Sequence, residues 1–144
     1  MATAKKCIFC SIINHEAPGY IVFEDEHCIA FLDTTPLFEG HVLLLPKQHV
    51  ETLMDLPAEL IEPLFANAKR LSAAVQTAMG SQGIFMANNN IVSQSVPHLH
   101  IHIVPRNKKD GLYGFFYPRK KYRDEEHMQE VAARISAALV TELL

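Results

Sequence analysis

The chain has 144 residues, 49% of them apolar, with 13 basic and 16 acidic side chains and a net charge of −3. This is one domain's worth of sequence, able to bury a core without staples, and its charge offers no general attraction to nucleic acid or an anionic membrane. Three cysteines argue against a disulfide framework; no apolar run suits a signal peptide or the ~20 residues of a membrane span, so a cytoplasmic protein is expected.

Cys7-Ile8-Phe9-Cys10 opens an apolar stretch through Ile13 that suits a helical turn before Pro18-Gly19. Its Cys-x-x-Cys spacing fits half of a zinc site, a redox dithiol, or two small buried side chains, although the strand that precedes a thioredoxin-like dithiol is missing. Tyr20–Glu24 and His27–Asp33 read as a hairpin around the polar turn Glu24-Asp25-Glu26. Asp33, before Thr34-Thr35-Pro36, taken alone reads as a turn cap. Gly40-His41-Val42-Leu43-Leu44-Leu45-Pro46 is continuously apolar after its histidine, which predicts a central strand.

From Pro57 to Met79, Leu60, Leu64, Ala68, Leu71, Val75 and Met79 recur every three or four residues. This predicts an amphipathic helix covering one sheet face, with Asp55 as N-cap, Gly80 as C-cap and a bend at Pro63. Gly83–Asn88 reads as a strand and Asn88-Asn89-Asn90 as a turn. Beyond residue 106, Tyr113-Gly114-Phe115-Phe116-Tyr117-Pro118 is an aromatic run suited to a partner subunit. A last helix begins at Asp124-Glu125-Glu126, with Met128, Val131, Ile135, Leu139 and Leu143 on one face.

The most informative stretch is Val96 to Arg106, where His98, His100 and His102 alternate with Leu99, Ile101 and Ile103. Period-two alternation predicts a strand with the three imidazoles on one open face and the apolar residues in a core. At about 3.3 Å per residue, His98 and His102 stand roughly 13 Å apart, too far to share one tetrahedral metal. The residues leave open a patch of surface imidazoles, a His-x-His chelate, or chemistry in which a neutral imidazole attacks while its neighbours donate hydrogen bonds.

His98-Leu99-His100-Ile101-His102-Ile103-Val104 resembles the signature of the histidine triad (HIT) superfamily, and the likeness extends to Phe31–Pro36, Gly40–His49 and Gln94-Ser95-Val96. With Cys7 and Cys10 it covers about residues 7–106. The resemblance implies a single α+β domain over 1–144: about five antiparallel strands, a long helix on one face and a C-terminal helix. Among family members, the protein-kinase-C-interacting-like branch is most similar. It implies hydrolysis of purine nucleoside phosphoramidates at the α-phosphate through a nucleotidyl-histidine.

Carried onto this chain, the resemblance makes His100 the nucleophile, with His102, His41 and Ser95 beside it. Asp33 would accept from the ribose hydroxyls, and Ile8, Phe9, Ile12, Phe31 and Thr34 would enclose the base. Asn88, Gln94 and Ser95 would donate to the phosphate, although Ile91-Val92-Ser93 stands where the family usually has glycines. Cys7, Cys10, His49 and His98 would hold a structural zinc, and the protein would be a homodimer. Two relatives in chemistry remain open, a dinucleoside polyphosphate hydrolase and a nucleotidyl transferase. From another class, so does a zinc-stabilised module that binds nucleotides or partners with little turnover.

Overall fold

A computed structural model describes residues 6–113 and 119–142. They fall into two compact units, Met1–Asp110 and Gly111–Leu144. The first holds helix α1 (Ile8–Ile13), strands β1 (Ile21–Glu24), β2 (Cys28–Leu32) and β3 (Val42–Pro46), helix α2 (Ala58–Met79), and strands β4 (Gly83–Ala87) and β5 (Ile101–Arg106). The second holds helix α3 (Glu125–Glu142), opened by the Asp124 carboxylate accepting from the His127 amide. The fold is α+β, with all strands antiparallel in the order β1-β2-β3-β5-β4.

The centre of the sheet is apolar on both faces, because helices cover both. Cys28, Ala30, Val42, Leu44, Ile101 and Ile103 face α2, where they meet Leu60, Leu64, Ala68, Leu71 and Val75. The alternate residues Ile29, Phe31, Leu43 and Leu45 face the other way and pack on Phe9 and Ile12 of α1. Strands buried on both faces read as unbroken apolar runs, which accounts for Val42–Leu45.

Helix α2 ends as its sequence suggests, with Gly80 left-handed at φ 60°. Its start differs from expectation. Pro57 is the N-cap, while Asp55 closes a single 3-10 turn by accepting from the amide and hydroxyl of Thr52. The reciprocal capping box with Thr52 occupies the Asp55 carboxylate in that turn, three residues ahead of the helix. Pro63 lies inside the helix, which continues past it. Of the aromatic run, residues 114–118 lie outside the described residues, and Tyr113 is exposed.

The triad segment departs most from expectation. Regular pairing in β5 starts only at Ile101, so His98, in a bend where its amide donates to the Val96 carbonyl, and His100 lie ahead of the strand rather than in its ladder. Nor is their face open. His98 and His100 are 0% and 3% exposed, and only His102 is partly open. The cover is α1: the Phe9 ring stands edge-on to His98 and His100, with centroids at 6.1 and 5.1 Å. Alternation specifies which residues share a face, and a six-residue helix decides what covers it.

Candidate functional site

Helix α1 brings Cys7 and Cys10 to one side, because Cys7 is its N-cap and Cys10 follows one turn later. A backbone bond from the Leu99 amide to the Val50 carbonyl draws His98 alongside His49. The result joins four ligand atoms: both thiol sulfurs and the Nδ1 atoms of His49 and His98 lie within 4.8 Å of one another. His98 Nδ1 is 3.6 Å from each sulfur, Cys10 Sγ is 3.3 Å from His49 Nδ1, and the two Nδ1 atoms are 3.2 Å apart. Zinc bonds of about 2.3 Å to sulfur and 2.0–2.1 Å to nitrogen give tetrahedral edges of about 3.6 Å N···S and 3.3 Å N···N, so the donor set fits.

The tautomer fits as well. His98 Nε2 lies 2.8 Å from the Pro46 carbonyl, which only accepts, so the proton sits on Nε2 and Nδ1 keeps its lone pair towards the sulfurs. Burial lowers the His98 pKa to about 4 and so favours the neutral, ligating form. Burial, reinforced by Cys7, raises the Cys10 thiol to about 11, so its sulfur needs a cation beside it to become a thiolate.

The same logic of tautomers runs through the rest of the cluster. The Leu37 amide donates to His41 Nδ1 at 3.1 Å, so neutral His41 carries its proton on Nε2. That Nε2–H lies 2.9 Å from His102 Nδ1, which accepts it and leaves His102 with Nε2–H as a free donor. His100 is oriented the opposite way. Its Nδ1–H donates to the His98 carbonyl at 2.7 Å, so the lone pair is on Nε2. One backbone amide and one backbone carbonyl thus set adjacent imidazoles to opposite tautomers, one with its lone pair and the other with its N–H at Nε2.

Burial keeps the relay neutral. Desolvation is the largest influence on His102 and, with His100 and His41 nearby, lowers its pKa to about 4. His41 is also pushed down, first by burial and then by His100, against the opposing pull of Asp33. The Asp33 Oδ2 is 3.7 Å from His41 Nε2, while its Oδ1 accepts from the amide and hydroxyl of Thr35. Asp33, His41 and His102 also form a compact donor group, but their close N···N contact is a hydrogen bond with its proton assigned.

His100 and His102 line a cavity of about 390 Å³, within the range of small-ligand sites. Around it stand Ile8, Phe9 and Ile12 from α1, Phe31, Asp33 and Thr34 at the end of β2, and Ser95. Leu43, Val96 and the segment Ala17–Tyr20 add to the wall. A smaller hollow of about 80 Å³ lies between α2, β4 and the β5 segment, lined by apolar side chains and Asn88. It offers few polar groups and no room for a nucleotide.

Two residues expected to face substrate are engaged elsewhere. Asn88 donates to the His100 carbonyl at 2.9 Å and does not line the larger cavity. Gln94 donates to the Glu51 carbonyl at 2.6 Å and accepts from the Ile91 amide at 2.9 Å, and it too stands outside that lining. The backbone groups of Leu37, Pro46 and His98, which fix the tautomers, carry no side-chain signature for sequence reasoning to find. Leu43 had one, its odd position in an apolar strand paired to His102.

The HIT domain family matches residues 14–109. The chain belongs to this family. It is 39% identical over 107 residues to the adenosine 5′-monophosphoramidase HNT1 of Saccharomyces cerevisiae, covering 74% of this chain and 66% of that one. A crystal structure of a HIT family member from Bacillus subtilis superposes with a TM-score of 0.82 at 34% identity, covering 92% and 96% of the two chains. A zinc-bound histidine triad family protein from Mycobacterium smegmatis gives 0.71 at 31% identity, covering 92% and 97%. The HIT family thus accounts for the sheet, the triad and the relation to nucleotide-hydrolysing proteins.

Proposed function

We propose that this HIT protein hydrolyses purine nucleoside phosphoramidates and related nucleotide conjugates at the α-phosphate through a covalent nucleotidyl-His100 intermediate. The observation that carries this reading is the His100 tautomer: with Nδ1–H held by the His98 carbonyl, the Nε2 lone pair belongs to a ring lining the cavity. Attack forms a phosphorus–Nε2 bond as the phosphorus–nitrogen bond of the substrate breaks, and the departing nitrogen takes up a proton from solvent and leaves as a neutral amine. Water then attacks phosphorus and gives a proton back to solvent, the electron pair of the phosphorus–Nε2 bond returns to Nε2, and the nucleoside monophosphate is released.

The charge developing on the non-bridging oxygens meets preset donors, the His102 Nε2–H and the Ser95 hydroxyl at the cavity wall. His41 positions His102 rather than touching substrate. Asp33 has one carboxylate oxygen outside its Thr35 turn for the ribose hydroxyls, and Phe9, Phe31, Ile8, Ile12 and Thr34 form the base side. The monophosphoramidase activity named for the yeast relative supports the substrate class.

Cys7, Cys10, His49 and His98 would hold zinc, fastening α1 to the triad segment with all four positions filled by protein. Bound there, it supplies structural cross-linking and withdraws His98 from the chemistry. A homodimer in the cytoplasm completes the reading. Edge strand β4, with half-exposed Met86, supports the first, and three free cysteines support the second. No helix among the described residues is long and apolar enough to cross a membrane.

The test is turnover of adenosine 5′-phosphoramidate by wild type and by His100→Ala, with folding of both checked by circular dichroism. Release of adenosine monophosphate by wild type, and its loss in the folded variant, is expected. Tight nucleotide binding without turnover in wild type would favour the binding-module reading instead.

A further inference from the structure

The loop between β4 and the triad holds two non-glycine residues at positive φ, Ile91 at 71° and Ser93 at 62°. For Ile91 this is a marked departure, because a β-branched side chain disfavours that region. The Val92 amide donates to the Asn90 carbonyl at 2.9 Å across Ile91, closing a γ-turn of the rare positive-φ hand. Burial does not hold Ile91 there, since its side chain is 74% exposed. A strained residue persists only where its surroundings over-determine it.

Three carboxamides do so. Gln94 accepts from the Ile91 amide and donates to the Glu51 carbonyl. Asn90 accepts from the Leu53 amide at 2.7 Å and donates to Asn88 at 2.7 Å. Asn88 in turn donates to the His100 carbonyl. An amide that both donates and accepts links two backbone sites at a fixed spacing, and here the links run from the strained turn through segment 51–53 to the backbone of His100.

We infer that Asn88, Asn90 and Gln94 form a carboxamide clamp that holds Ile91 in its strained turn and thereby positions Ser95 and His100, Gln94 acting as a positioning residue rather than a phosphate donor. This deepens the nucleotidyl-transfer reading and rests on it for its kinetic consequences. The clamp itself is a property of the free protein. Losing Gln94 lets the turn relax, and a glycine at 91 removes the reason for it to relax.

The test compares wild type, Ile91→Gly, Gln94→Ala and the double variant. Without nucleotide, the Ile91 amide is expected to be protected from hydrogen exchange in wild type and to lose protection at least ~10-fold in Gln94→Ala. Ile91→Gly should melt about 2–5 °C above wild type, because strain is relieved at an exposed position. With adenosine 5′-phosphoramidate, Gln94→Ala should lower kcat about 10–100-fold, and adding Ile91→Gly should restore most of it.

A double variant as slow as Gln94→Ala would overturn the inference and make Gln94 a direct substrate ligand. So would an unprotected Ile91 amide in wild type, or an Ile91→Gly protein that melts lower. If wild type has no turnover, the function reading fails separately, and exchange with melting still decides the clamp.

Discussion

His102 is neutral in the folded protein to well below the pH at which a free histidine gains its proton, and this ties stability to acidity. Its pKa is lowered to about 4 by burial, with His100 and His41 adding to the effect and Asp33 opposing it. An unfolded histidine titrates near ~6.5. Above that value neither state carries the proton. Between the two values only the unfolded chain does, so stability is lost as pH falls, by about 1.4 kcal/mol per pH unit.

From pH 7 to pH 5 the full shift corresponds to about 2 kcal/mol, which partial solvent access at the cavity mouth reduces to about 1 kcal/mol. Replacing His102 with Gln removes this titration and leaves all four proposed zinc ligands in place. Urea unfolding of both proteins at the two pH values therefore isolates the term. Wild type is expected to lose about 1 kcal/mol more than His102→Gln. Equal losses, within about 0.3 kcal/mol, would mean that His102 is not held neutral and that the relay assigned to it is wrong.

His41→Ala removes the acceptor of the Leu37 amide and the donor to His102. It should cost about 2–3 kcal/mol in urea unfolding and lower kcat about 100-fold; unchanged kcat would separate His41 from the chemistry. Elemental analysis should find one zinc per chain in wild type and none in Cys10→Ala, with melting lowered by ~10 °C or more in the variant. A metal-free wild type with the same melting temperature would remove zinc from the account.

Much of this was readable from residue order. Continuous Val42–Leu45 specified a central strand, and the 3.6-residue spacing from Leu60 to Val75 specified the helix that covers one face. The histidine alternation put three imidazoles on one side of the chain but said nothing of cover. That depended on Phe9, ninety residues away, docking through α1. Asp55 illustrates a local ambiguity, since one carboxylate near a helix start has two sets of orphan donors within reach. The clamp was the least legible part. Asparagine runs signal turns, and nothing in their order shows that Asn88 turns back to His100 or that Ile91 occupies a conformation suited to glycine.

The opposite tautomers of His100 and His102 give the site its chemical meaning, and they follow from backbone partners rather than from the side chains themselves. This also explains why three similar imidazoles need not act alike. His98, whose Nε2–H donates to the Pro46 carbonyl, keeps its lone pair towards the cysteines; His100, whose Nδ1–H donates to the His98 carbonyl, keeps its lone pair on Nε2 of a ring that lines the cavity.

The most direct measurement is intact-protein mass spectrometry after rapid, acid-free quenching with adenosine phosphoramidate, on wild type, on His102→Ala as a slowed variant, and on His100→Ala. The account predicts a mass gain of one adenylyl group, accumulating in His102→Ala and absent in His100→Ala. Turnover with no adduct in any of them, or an adduct that survives in His100→Ala, would contradict nucleotidyl transfer to His100.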